Sequence, residues 1–150
     1  TLLGYLEKAL APAVTAEAIM AAPVCSIDWE STLFDASIFL EQISHTGVPV
    51  TQDGQRIVGF LTLRDIMKGR RAEQMHAPVK AYMSRNPVYA SPETTVGEIE
   101  ELFFTHNIGH LPIVRDERVI GIVTRSDFLA FKQNEHVKRQ KVMEKIGVDS

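Results

Sequence analysis

The sequence predicts a mixed α/β (α+β) fold made of two β-α-β-β-α repeats packed about a pseudo-two-fold axis. The first observation behind this is a pattern, G-x-x-T-x-x-D, that occurs as Gly59-Phe-Leu-Thr62-Leu-Arg-Asp65. It returns 62 residues later as Gly121-Ile-Val-Thr124-Arg-Ser-Asp127. The second is that other landmarks recur almost in step: Met20 with Met83, and Pro49 with Pro112. The third is size. A unit of about 60 residues has a marginal core alone, so two units are expected to bury their sheet faces against each other.

Each element has its own signal. Thr1 to Leu10 carries apolar residues at 2, 3, 6, 9 and 10, the spacing of a short amphipathic helix, and Pro12 interrupts it. Thr15 is expected to cap a second short helix that ends near Met20. Val24 to Ile27, following Pro23, reads as a brief strand. Thr32 to Ser44 is helical, with Leu33, Ala36, Phe39, Leu40 and Ile43 on one face. Val48 to Val50 and Ile57 to Leu61 are strands joined through Asp53-Gly54, a hairpin signal. Thr62 opens a helix that fades near Gly69.

The second half follows the same order. Val79 to Met83 repeats the short approach helix, and Val88 to Ala90 repeats the first strand. Thr94 to Thr105 is a helix with Val96, Ile99, Leu102 and Phe103 inward. Leu111 to Val114 and Val119 to Val123 form a hairpin around Asp116-Glu117, and Thr124 opens the closing helix. Past Ala130 the chain turns polar and basic. The expected organisation is an N-terminal helix and linker over 1–14, a first repeat over 15–70, a linker over 71–78, a second repeat over 79–130 and a helical tail over 131–150.

Composition excludes several classes. Sixteen basic against nineteen acidic residues leave a net charge of −3, which argues against a nucleic-acid or membrane-surface partner. No apolar run approaches the roughly 20 residues needed to span a bilayer, and no signal-peptide pattern is present, so a cytoplasmic setting is expected. Cys25 stands alone in an apparent strand and is expected to be a small core residue. The chain opens on Thr1 rather than Met, which suggests a piece of something longer.

The repeated motif carries the chemistry. Each copy sets a hydroxyl and a carboxylate at the start of a helix beside a strand end, a geometry suited to a ribose and its phosphate. A helix N-terminus adds free N–H donors and positive potential for an anion. A second explanation stands beside this one. Thr followed three residues later by an acidic residue also makes a capping box, in which the side chains satisfy backbone N–H groups. The two readings are compatible when no ligand is bound.

With the repeat laid out, residues 15 to 130 resemble a tandem cystathionine-β-synthase (CBS) domain pair, or Bateman module. The resemblance rests on Ala18-Ile-Met-Ala-Ala-Pro-Val24 and Ala81-Tyr-Met-Ser-Arg-Asn-Pro-Val88, on Gly47-Val-Pro-Val50 and His110-Leu-Pro-Ile113, and on the two G-x-x-T-x-x-D stretches. It implies that Asp65 and Asp127 accept from ribose hydroxyls while Thr62 and Thr124 contact phosphate. His110 and Ser91 would add polar partners in the second copy, where the first has Gly47 and Ile27. Adenine would lie against Val24, Val48 and Phe60 in one cleft and Val88, Leu111 and Ile122 in the other. The segment His76 to Arg85 is also similar to the inter-repeat region of bacterial tRNA nucleotidyltransferase/poly(A) polymerase-type proteins.

The expectation is a regulatory module, not an enzyme, with no catalytic cofactor. Its ligand would be AMP, ADP, ATP or S-adenosylmethionine. It would form a homodimer and act on a fused or partner effector domain. The alternatives are a dimerisation module that binds nothing, or an accessory region of a nucleotidyltransferase-like enzyme. His106 and His110 are four apart, but Gly109 argues that the helix ends before the second, so no metal site is expected. Arg64 and Arg125 could reach a phosphate or face solvent.

Overall fold

A computed structural model describes residues 13–145; the helix expected over Thr1 to Leu10 lies outside them. The elements in chain order are α1 (Ala16–Ile19), β1 (Ile27–Asp28), α2 (Leu33–Ile43), β2 (Gly47–Gln52), β3 (Arg56–Thr62), α3 (Leu63–Arg71), a 3-10 turn (Val79–Ala81), α4 (Val96–His106), β4 (His110–Arg115), β5 (Arg118–Thr124) and α5 (Arg125–Lys145). The architecture is mixed α+β, with one five-stranded sheet in the order β1-β2-β3-β5-β4.

Local chemistry sets most boundaries. Thr32 caps α2 by accepting from the Asp35 N–H at 3.1 Å, and Thr95 caps α4 by accepting from Glu98 N–H at 3.3 Å. Thr95, rather than Thr94, is thus the cap, because Thr94 Oγ1 instead accepts from the Ser91 N–H. Helices α2 and α4 stop where Ser44 and Asn107 enter the left-handed region, at φ 56° and 49°. Strands β2 and β4 are almost wholly buried.

Two hydrophobic cores result. One gathers Leu33, Ala36 and Leu40 of α2 with Val48, Val50, Leu61 and Ile66. The other gathers Ile99 and Phe103 of α4 with Leu111, Ile113, Val123 and Phe128. Each core also contains a residue from the approach segment of the other repeat: Val79 is in the first core and Ala16 in the second. The backbone repeats this exchange. Ala21 bridges Ile122, and Ser84 bridges Phe60. Gly121 and Gly59 permit the close approach, since a Cβ at either would run into the sulfur of Met20 or Met83 respectively. The sequence repeats and the packed units are therefore out of phase.

The exchange also explains where the expected strands differ. Residue 21 is committed to β5, so the chain pairs with β2 only at Ile27, parallel to Val50, and β1 is two residues long. Val88–Ala90 forms no strand; Ala90 makes one parallel bridge to Ile113 between Pro87 and Pro92. Cys25 consequently lies in no strand and is exposed, not a core residue. Thr15 stands at the N-cap of α1 but makes no capping hydrogen bond. Val79–Ala81 is one 3-10 turn rather than an α-helix. At the other end α5 runs unbroken through residue 130 to Lys145. Among the described residues no helix is long and apolar enough to cross a membrane.

The two repeats meet across an approximate dyad. Arg56 of β3 lies opposite Arg118 of β5, its counterpart in the repeat. The flanking bonds are reciprocal: Ile57 N–H to the Glu117 carbonyl at 3.1 Å, and Val119 N–H to the Gln55 carbonyl at 3.2 Å.

Candidate functional site

Each motif is held at both ends. Strand β3 delivers Thr62 opposite Gly47, and β5 delivers Thr124 opposite His110. The next residue opens a helix while bonding backward: Leu63 N–H donates to the Thr46 carbonyl and Arg125 N–H to the Gly109 carbonyl, both at 2.9 Å. Two helix N-termini thus start beside the residues that lead into β2 and β4, a polarity that favours an anion.

The two Thr/Asp pairs are not equivalent. In the first, Asp65 Oδ2 accepts from Thr62 N–H at 2.9 Å and from Thr62 Oγ1 at 3.1 Å, while Asp65 N–H donates to Thr62 Oγ1. This is a complete capping box. In the second, the bond formed is Asp127 N–H to Thr124 Oγ1 at 3.1 Å. Asp127 is exposed, and its carboxylate accepts no hydrogen bond among the described residues. Arg125 is tied down: its guanidinium donates to the Phe103 carbonyl at 3.0 Å and lies over the Phe103 ring. Arg64 is exposed.

His110 sits at the junction of the repeats. Its backbone pairs with Thr124, but its ring reaches across to the first repeat. The ring centroid is 5.2 Å from that of Phe60, and Nε2 is 3.3 Å from Thr46 Oγ1. Gly47, its counterpart, leaves the room: a Cβ there would stand 2.7 Å from Phe60 and 3.2 Å from His110. Burial, and then the nearby His45, push the His110 imidazole below its ordinary value. The Gly47/His110 difference is therefore one fitted pair at the dyad, rather than a side chain gained by the second cleft alone. His106 ends α4 while His110 begins β4, so the two do not share a helix face.

The remaining residues divide. Val48 and Leu111 are fully buried, with their side chains in the two cores. Val88 packs half-buried against the second core, and Val24 is half-buried and lies in neither. The approach segments also cross. Ala21, three residues before Val24, is beside Ile122, and Ser84, four before Val88, is beside Phe60. Val24 thus follows a segment fixed to the second motif's strand, and Val88 one fixed to the first's, while Val88 itself packs on the second core that holds Leu111. Ser91 is not gathered to the motif. It shares a hydrogen bond with Thr94 and lines a cavity of about 520 Å³ with Tyr89, Glu98, Glu101 and His106 on the outer side of α4. A second cavity, of about 470 Å³, lies between α4 and α5 against Phe103, Phe104, Phe128 and Leu129. Neither includes Thr124 or Asp127.

Sequence reasoning missed His45 and Thr46, which carry no motif. It also missed the exchange of approach segments, for which Met20/Met83 and Gly59/Gly121 were the available signal.

Known proteins share these features. The family model described as CBS domain matches residues 16–71 and 79–134. An A-adding tRNA nucleotidyltransferase of Geobacter sulfurreducens is 28% identical over 133 residues, which are 86% of this chain and 15% of that protein. The chain thus spans a small part of that relative. A CBS domain pair solved with 5'-methylthioadenosine and S-adenosyl-L-methionine superposes with a TM-score of 0.76 at 23% identity, over 83% of this chain and 99% of the other. CBSX2, solved in complex with AMP, gives 0.71 at 20% identity, over 81% of this chain and 98% of the other. Two matches in tandem, over a fold with exchanged approach segments and one Thr/Asp pair per repeat, make this chain a member of the CBS domain family.

Proposed function

We propose that the chain is a regulatory adenine-nucleotide-binding module that passes its ligand state to an attached or partner domain, and that it is not itself a catalyst. The supporting observation is the uncommitted carboxylate of Asp127, exposed one turn into α5 beside the Thr124 hydroxyl and the helix N-terminus. A carboxylate accepts from a ribose diol, while N–H groups and a hydroxyl donate to phosphate. In this reading Thr124 and Asp127 form the stronger site, with His110 at its edge. Thr62 and Asp65 form the weaker one, because their capping box must open to meet a ligand. Val24, Val48, Val88 and Leu111 supply apolar side chains or strand backbone beside the base, and Ser91 stays outside. The ligand-bound CBS pairs named above support an adenosyl ligand: AMP, ADP, ATP or S-adenosylmethionine. The setting is cytoplasmic, where such ligands are plentiful. Calorimetric titration with each of the four tests this. No heat and no thermal shift up to millimolar concentration would sink it.

A second reading is a homodimerising structural module. The observation that favours it is the α4/α5 groove with Phe104 89% exposed at its rim. A third is an accessory region of a nucleotidyltransferase-like protein, supported by the Geobacter relative. The dimer is compatible with nucleotide binding, and light scattering measures it separately.

A further inference from the structure

We propose that phosphate-bearing adenine nucleotides take up a proton at His110, so that the junction between the repeats responds to pH and to phosphate together. The proposal rests on the nucleotide reading and concerns the regulation of that same site.

The geometry is that of one imidazole placed between two anion-favouring ends. His110 pairs directly with Thr124, the residue before α5. Its ring abuts Gly47, which pairs with Thr62, the residue before α3. An anion held at either helix start therefore lies near this ring. Without one, the surroundings oppose a charge. Strand β3 offers the Phe60 ring, and the loop before β2 offers the Thr46 hydroxyl. That loop also carries His45, which acts against protonation. The first turn of α3 carries Arg64 and Asp65, but that carboxylate is spent in its capping box. The first turn of α5 carries Asp127 and Arg125, whose guanidinium is turned to the Phe103 carbonyl. Burial and His45 thus favour the neutral ring in the free protein. A bound phosphate supplies the missing negative charge and favours the imidazolium.

Linkage then fixes the sign. A ligand that favours the protonated form binds more tightly as pH falls, by up to tenfold for each unit by which it raises the imidazole's value. Adenosine and S-adenosylmethionine, which carry no phosphate, gain nothing from it. They separate this effect from pH effects on the rest of the cleft.

The test is calorimetric titration of AMP into the full chain at pH 7, in two buffers of different ionisation heat. The expected result is proton uptake of some tenths per AMP, absent with adenosine and lost in His110→Gln. His45→Gln, which leaves His110 in place, is expected to retain the uptake. AMP binding whose heat is the same in both buffers, or whose proton uptake persists in His110→Gln, overturns the proposal and leaves the nucleotide reading standing. Failure of all four adenosyl ligands to bind overturns that reading, and this proposal with it.

Discussion

Asp65 and Asp127 occupy the same place in the repeat yet are bonded differently, and single substitutions separate them. Asp65→Ala removes the acceptor of a capping box. It should cost about 0.5–2 kcal/mol of stability and lower Tm by a few degrees, with little effect on nucleotide affinity. Asp127→Ala should do the opposite: Tm nearly unchanged, and affinity lower by about 10- to 100-fold, the loss of a charged hydrogen bond. The reverse ranking would show that the uncommitted carboxylate is not the ligand's acceptor. His110 makes stability depend on pH. Its folded-state value lies below the ordinary 6.5. The unfolded chain therefore takes up the proton first, and stability rises with pH. The contribution is fully present above about 6.5 and is lost as pH falls through the lower folded value. A denaturation series from pH 7.5 to 5 should show a steeper loss in the protein than in His110→Gln; parallel curves would contradict this. These roles were half legible in the sequence. Thr62 and Thr124 were identified as helix starts by pattern alone, and both are. That one Asp is committed and the other free depends on side-chain rotamers, which no spacing records.

At the scale of elements, the long and strongly patterned segments were legible: α2, α4 and both hairpins lie within one to two residues of their expected bounds. What failed was local. Val24–Ile27 and Val88–Ala90 have strand composition, but their neighbours at 21 and 84 are bound to the opposite repeat, and that tertiary commitment overrides propensity. The contact that permits it is testable. Gly121→Ala places a methyl group against Met20 and Gly59→Ala one against Met83. Each should destabilise by about 1–3 kcal/mol, as overpacking does. Pairing either with truncation of its methionine to Ala should recover part of the loss; simple additivity in a double-mutant cycle would deny the contact. In α5 only Phe128 is buried, and everything past Glu135 is exposed. A helix without packing is marginal in water. Amides beyond residue 136 should exchange quickly in the free chain and slow when a ligand or partner engages the helix.

The whole molecule is a pair of interlocked units whose junction holds the fitted Gly47/His110 contact at one place and Arg56/Arg118 at another. The interlocking means that neither repeat can be cut out along the sequence boundary with its core intact, since Ala16 and Val79 would be lost to the wrong fragment. Phe34 on α2 and Phe104 on α4 are 54% and 89% exposed, and a homodimer is expected to cover Phe104. Light scattering at micromolar concentration should give twice the chain mass, and Phe104→Glu should halve it. A monomer mass for the unaltered chain would contradict the dimer without touching nucleotide binding. The central claim is that the second motif is an adenine-nucleotide site. Its most direct measurement is calorimetric titration of AMP into the chain and into Asp127→Ala and Asp65→Ala. The expected result is saturable binding that Asp127→Ala removes for the most part and Asp65→Ala leaves nearly intact. Equal binding by all three proteins, or by none, would contradict it.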